Sequence, residues 1–145
     1  MTGRGFASAH IDEIAPLADT DPNDTQWRPV RHHFGIRGFG VNSWTGRQPG
    51  HPVIEPHDEA PGSGSGTEGG HEELYVVLSG HAEFTIAGER VDAPAGTLVY
   101  VEPGVMREAR ARDAGTTVLA IGGAPGEPFV VSPWEEKHTR GLVAG

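Results

Sequence analysis

The sequence predicts an all-β fold, a sandwich or barrel of short strands. Two observations carry that prediction. Segments of alternating or continuous apolar character recur every 8–12 residues, each closed by a glycine or proline turn. Glycine (22) and proline (12) are both above average usage, which favours short strands and turns over helices. A third observation locates the centre of the chain. The stretch from His71 to Gly80, His-Glu-Glu-Leu-Tyr-Val-Val-Leu-Ser-Gly, reads as a largely buried strand ending in a turn. Alternate side chains of a strand share a face, so His71, Glu73, Tyr75 and Val77 point one way. Glu72, Leu74, Val76 and Leu78 point the other. An imidazole, a carboxylate and a phenol on one face of an apolar strand imply a pocket, because isolated buried charge is costly.

Length and charge bound the class. At 145 residues the chain is one domain in size, and 36% hydrophobic content is enough for a core. The net charge of −9 and the single lysine, Lys137, argue against nucleic acid and anionic membrane as partners. There is no cysteine, hence no disulfide and no thiolate chemistry. Met1 to His10 has no apolar core of a signal peptide, and no run approaches 18 apolar residues. A soluble, cytoplasmic protein is expected.

The elements follow in order. His10 to Ile14 reads as a short strand, and Pro16 to Gln26 as loop with room for one helical turn. Trp27 to Phe34 alternates weakly. Ile36 to Trp44 reads as a strand bent at Gly38 or Gly40. Thr45 to Pro52 turns, and Val53 to Glu59 is strand-like, with His57 and Glu59 on one face. Ala60 to Gly70, rich in glycine and serine, reads as a flexible loop joining two strands. After the central strand, His81 to Ile86 and Glu89 to Ala93 form a hairpin across Ala87-Gly88. Thr97 to Val101, Val105 to Arg112 and Thr116 to Ile121 are further strands, and Phe129 to Ser132 a short one. Pro133 to His138 reads as a short helix, capped by Ser132, with Pro133 first and Glu135 and Glu136 in its opening turn.

These residues resemble the cupin superfamily. Its first motif ends in a glutamate, six residues and a glycine, which matches Glu73 and Gly80. Its second motif runs glycine, five residues, proline, any residue, glycine, two residues and histidine. Here Gly96 and Gly104 stand in place, Glu102 occupies the proline position and Arg107 the histidine position. The resemblance spans roughly residues 41–122. It implies a double-sheet jelly-roll barrel, a design that protects sheet edges. It also implies, in metal-binding members, two histidines spaced H-x-H before the glutamate. Those positions are Thr67 and Gly69 here, so only Glu73 of the usual ligands is in place.

Several residues compete for the site. His71 and Glu73 share a strand face, and imidazole with carboxylate suits Zn, Fe, Mn or Ni. His57 and Glu59 have ligand-like spacing just before the glycine-rich loop. If that loop is an insertion, they take the positions of the missing H-x-H, so His57, Glu59, His71 and Glu73 are the candidate metal set. The opposing reading is a hydrogen-bonded His–Glu pair and a polar strand end. Arg107 cannot ligate a metal and stays charged. It neutralises Glu73 through a charge-assisted bond, holds the carboxylate of an acidic ligand, or is a surface arginine at the strand's start after a turn. Arg107, Tyr75, Tyr100 and Trp44 are the candidate ligand-binding residues, although such aromatic residues are more often ordinary core of a β sandwich.

The expected organisation is an N-terminal extension packing on the barrel (1–35), the barrel (36–132) and a C-terminal tail with a short helix (133–145). The expected function is binding of a small organic ligand inside the barrel. The alternative is a metal-dependent enzyme, such as a dioxygenase, isomerase or lyase, with a non-standard His/Glu site. A homodimer is expected, with Leu74, Val76 and Leu78 on the outward face.

Overall fold

A computed structural model describes residues 5–17, 25–60 and 70–142. Its strands form two antiparallel sheets facing each other. The first sheet has the order β1 (Thr25–Arg28), β2 (Gly40–Gly46), β9 (Thr116–Gly123), β4 (Glu72–Ser79), β7 (Leu98–Val101). The second has the order β3 (Pro52–His57), β8 (Arg107–Ala111), β5 (His81–Ile86), β6 (Glu89–Pro94). The fold is all-β, a double-sheet jelly roll.

Inward residues of both sheets make one core. Tyr75, Val77, Val101 and Val118 from the first sheet meet Val53, Phe84, Ala109 and Ala111 from the second. A smaller cluster of Ile14, Val30 and Val41 packs with Leu119 and Ile121, so the N-terminal segment covers the outer face of β2 and β9. On the outer face of β4 and β7, Leu78 and Leu98 are exposed.

The two sheets form a wedge. At one end they pinch: a Cβ added to Gly46 would lie 2.9 Å from the Cβ of Ala111 and 3.0 Å from Cγ2 of Val53. Toward the other end, the inward residues of β9 shrink from Val118 to Ala120 to Gly122. The register sets them in rows across β2, β9 and β4: Trp44–Val118–Val77, Asn42–Ala120–Tyr75 and Gly40–Gly122–Glu73. With two glycines in the last row, the sheets part there. A Cβ on Gly122 would stand 3.0 Å from Cγ of Glu73, and one on Gly40 would stand 3.1 Å from the ring of Phe129.

The open end is flanked by α2 (Pro133–Thr139), which starts as expected, with Ser132 Oγ accepting from the Glu135 amide at 3.2 Å. A hydrogen-bonded chain ties it down. Trp27 Nε1 donates to Asn42 Oδ1 (2.9 Å), Asn42 Nδ2 donates to Glu135 Oε1 (3.2 Å), and Arg31 pairs with Glu135 Oε2. The rings of Trp27 and Trp134 stand 4.5 Å apart, and those of Trp27 and Trp44 5.8 Å.

Four segments differ from expectation; one is the strand read at Ile36 to Trp44, which runs instead from Gly40 to Gly46 and includes Thr45 from the expected turn. Residues 10–14 hold a 3-10 turn, Ile11–Glu13, in place of a strand. The cause is a capping box: His10 Nδ1 accepts from the Asp12 amide, and Glu13 Oε2 accepts from the His10 amide. The weak alternation of residues 27–34 resolves into β1 and a helix α1 (Val30–Phe34), separated by Pro29 and ended by Gly35 in the left-handed conformation. Phe129–Ser132 forms no strand: among the described residues it has no ladder partner, and Phe129 turns toward β2. Most of the loops expected at 16–26 and 60–70 fall on residues 18–24 and 61–69, outside the described residues.

The β5–β6 hairpin turns through Ala87 (φ 50°) and Gly88 (φ 84°), both left-handed, as a two-residue hairpin requires. A β-carbon is strained there, and asparagine tolerates that region better than alanine. Ala87→Asn is expected to stabilise the fold by about 0.5–1 kcal/mol. A urea midpoint that falls or stays unchanged would count against it.

Candidate functional site

The last turn of β3 delivers His57. Its Nδ1 donates to the carbonyl of Glu55 (2.7 Å), which turns Nε2 toward two carboxylates. Nε2 lies 3.2 Å from Glu59 Oε1 and 3.6 Å from Glu73 Oε1. The chain leaves β3 through Asp58, whose Oδ1 accepts from the Ala60 amide at 3.0 Å. Its return is pinned by the His71 amide donating to the Glu59 carbonyl at 3.0 Å. The strands on either side of the glycine-rich segment are therefore closed on each other at the site itself.

Glu73 is the hub. Its Oε1 accepts from the Tyr75 hydroxyl and from Arg107 Nη1, each at 2.6 Å. Arg107, opposite His57 in the β3–β8 register, is 1% exposed. It also donates through Nε to the Val105 carbonyl (2.9 Å) and through Nη2 to the Glu102 carbonyl (2.8 Å). The guanidinium is held on three sides and spent on the protein. It pairs with Glu73 and does not line the cavity, so the alternative in which it grips an acidic ligand is corrected.

The electrostatics follow from this packing. Burial alone would depress the His57 imidazolium, but the bonds to Glu59, Glu73 and the Glu55 carbonyl outweigh it and push its pKa up to about 10. Burial opposes ionisation of Glu73, yet His57, Tyr75 and Arg107 together hold it below its ordinary value. Burial and the adjacent Glu73 raise Tyr75 well above an ordinary phenol. Four groups thus balance: two carboxylates, one imidazolium and one guanidinium.

The site opens into a cavity of about 540 Å³. His57, Glu59, Glu73, Tyr75 and His71 line one part of it, and Trp44, Phe129, Trp134, Asn42 and Glu135 another. Tyr75 and Trp44 therefore stand where a ligand residue was expected. Tyr100 does not. It is 56% exposed on the outer face, its hydroxyl on Glu72 Oε2 at 2.9 Å, because it pairs with the outward-facing Leu74. His71 lines the cavity but stands outside the cluster of ligand atoms. That cluster, within 4.8 Å of one another, comprises His57, Glu59 and Glu73. Phe129, Trp134 and Glu135 were missed as lining residues. The capping pattern at Ser132 announced a helix but not where it docks.

His57, Glu59 and Glu73 fit a metal ion. One nitrogen and two oxygen donors converge, and the bond from His57 Nδ1 to a carbonyl orients Nε2 as a ligating imidazole is oriented. Arg107, on Glu73 Oε1, lowers the negative charge such an ion would meet.

A family model for the cupin domain matches residues 48–122, more than half of the chain. The protein is a member of the cupin family. Solved structures agree on the fold of this cupin. A double-stranded β-helix protein from Klebsiella pneumoniae is 18% identical with a TM-score of 0.63, covering 91% of this chain and 95% of its own. KdgF from Halomonas sp. is 18% identical with a TM-score of 0.62, covering 84% and 96%. Streptomyces PAC13, solved with uridine, is 15% identical with a TM-score of 0.55, covering 83% and 82%. Among curated proteins, no sequence matches the chain.

Two predictions follow from the geometry of this cupin's site. Arg107→Met removes the counter-charge of a half-buried carboxylate and leaves a fully buried position without its charge. A loss of about 3–5 kcal/mol is expected in chemical denaturation, and most of it should return in the double variant with Glu73→Gln. A loss below 1 kcal/mol would show that the pair carries no such coupling. The second concerns pH. His57 has a folded pKa of about 10 against 6.5 unfolded, so its contribution is full below pH 6.5 and is lost as pH rises through 10. Glu73 is shifted the other way, so its contribution is present above 4.5 and is lost as pH falls below that. With chelator present, the melting temperature should decline between pH 6.5 and 10, and His57→Gln should flatten that slope. An unchanged slope in the variant would assign the decline elsewhere.

Proposed function

We propose that this cupin binds a small organic molecule in the cavity between its sheets. The polar end of the molecule meets His57, Glu59 and Glu73, and its body lies against Trp44 and Phe129. The observation that carries this reading is the Arg107–Glu73 contact of 2.6 Å at the base of a cavity of about 540 Å³. At the polar end Arg107 and His57 face Glu59 and Glu73, and Glu55 and Asp58 line the cavity beside them. The volume lies within the range of ordinary small-molecule sites, and the mixture of aromatic wall and few converging polar groups is of the same kind. That PAC13 was solved with uridine supports the reading, since a protein of similar fold takes an uncharged organic molecule.

A second reading rests on its own observation, the convergence of His57, Glu59 and Glu73 within 4.8 Å. In it the three residues hold a divalent ion, which when bound supplies Lewis acidity. The protein's own part is then to orient His57 through Glu55 and to keep Glu73 ionised through Arg107 and Tyr75. The imidazolium must give up its proton first, so such binding competes with protons.

The two readings separate in one set of measurements. Purified without chelator, the protein is analysed by native mass spectrometry and elemental analysis. It is then titrated calorimetrically with Zn²⁺, Mn²⁺, Fe²⁺ and Ni²⁺ beside Arg107→His. Retention of an organic molecule without metal, and metal affinity appearing only in Arg107→His, is the expected outcome. Stoichiometric metal in the unmodified protein, abolished by His57→Ala, would replace the first reading with the second.

A further inference from the structure

The cavity wall carries a surplus of one charge sign. Five carboxylates line it, those of Glu55, Asp58, Glu59, Glu73 and Glu135, and among the described residues no lysine or arginine does. Two guanidiniums stand behind the wall: Arg107 pairs with Glu73, and Arg31 with Glu135. His57 lies between Glu59 and Glu73. Leaving Glu55 aside, four carboxylates face two guanidiniums and one imidazole. The surplus is therefore negative whether or not that imidazole carries a second proton. Asp58 and Glu59 supply it: Asp58 Oδ1 accepts the Ala60 amide, and Glu59 meets only His57 among the described charged groups. A concave wall of like charge focuses its field into the space it encloses and draws in the opposite sign.

A second feature of the same cavity has the same preference and does not depend on any ionisable group. Trp44 and Trp134 both line it, with ring centroids 6.0 Å apart and planes tilted by 33°. Trp27 stacks against both from the protein side, which holds the two indoles in place. The indole face attracts a cation more strongly than any other side-chain ring, and more so where water is excluded. An anion is disfavoured by the carboxylates and by the ring faces alike. An uncharged body gains apolar contact with the indoles and nothing from the carboxylate field. A cation gains from both.

We infer that the cavity takes an organic cation, a small molecule with a protonated amine or a quaternary ammonium group on an apolar body, and rejects its carboxylated counterpart. This deepens the proposed small-molecule function and rests on it. A protonated amine donates hydrogen bonds to the carboxylates, whereas a quaternary ammonium depends on the indole faces and the field. Selection against the anion comes from like charge met on entry.

The test uses the full chain with chelator present, so that no metal ion competes for the same carboxylates. Binding is followed by calorimetry and by tryptophan fluorescence. 2-Phenylethylamine, 2-phenylethanol and 3-phenylpropionate place a cation, no charge and an anion on similar bodies. Choline and 3,3-dimethylbutan-1-ol do the same for a quaternary ammonium and its uncharged copy. The expected result is that at least one cation binds about tenfold or more tightly than its uncharged copy, with 3-phenylpropionate the weakest. Asp58→Asn keeps the oxygen that accepts the Ala60 amide and removes the charge. It should weaken the cation about threefold and 2-phenylethanol less. Trp134→Leu should weaken choline about threefold to tenfold. If Trp134→Leu does not fold, Trp134→Phe, which keeps a ring of weaker attraction, carries the comparison with a smaller loss. Equal affinity for each cation and its uncharged copy, tighter binding of the anion, or full cation affinity in both the Asp58 and Trp134 variants overturns the inference. So does silence across the panel. In that case an organic molecule retained in native mass spectrometry leaves the small-molecule reading standing without the cation, and retention of nothing at all brings both down.

Discussion

The site depends on one buried ion pair. Arg107 is almost wholly enclosed, and a guanidinium so placed survives only with its donors satisfied and its charge matched. Two backbone carbonyls, of Glu102 and Val105, and the Glu73 carboxylate supply this. Both carbonyls come from the turn between β7 and β8. The same interaction therefore pins that turn, fixes the rotamer of Glu73 and keeps it ionised. Tyr75 and His57 then arrange themselves around an oxygen whose position is already determined. In this chain the arginine stands where the family's second motif ordinarily ends in a histidine, and one substitution changes a potential metal ligand into a permanent counter-ion.

The cavity has a second origin, in side-chain volume. Along β9 the inward residues diminish from valine to alanine to glycine, and the neighbouring β2 contributes Gly40 in the last row. A sandwich with uniform inward side chains would close there. Here the missing volume is taken up partly by the side chain of Glu73 and the ring of Phe129, and partly by empty space. The helix α2 borders that space with Trp134 and Glu135, held by Asn42 and Arg31. The C-terminal segment is thus part of the cavity wall, as β1 is part of the first sheet.

Much of this was legible because strand parity is strict. A period of two placed His71, Glu73, Tyr75 and Val77 on one face; the first three line the cavity and Val77 lies in the core. Spacing drew attention to His57 and Glu59, and they do meet Glu73. Tyr100 escaped for the same reason that Tyr75 did not. Its strand is short and set between turns, so nothing in the local pattern fixed which face it would take, and an aromatic residue looked at home inside. The role of Arg107 was left open between pairing with Glu73, gripping an acidic ligand and lying on the surface, because sequence cannot show whether a guanidinium's other donors are satisfied. Phe129 and α2 were out of reach altogether. Their place is decided by contacts with residues some ninety positions away, Gly40 and Asn42, and no local signal encodes that.

The balance of charge decides how this cluster can work. Two carboxylates facing one guanidinium would leave a deficit of one positive charge, and the imidazole is drawn into protonation to fill it. A proton and a metal ion are therefore rivals for the same place at His57 Nε2. In a family member with a histidine in place of Arg107, that deficit would be larger and the metal would win more easily. With the guanidinium fixed the deficit is one charge, and a protonated His57 stands as a donor beside two acceptors. Under the proposed function, donor and acceptors on one cavity wall suit the hydroxyl groups of a small organic molecule.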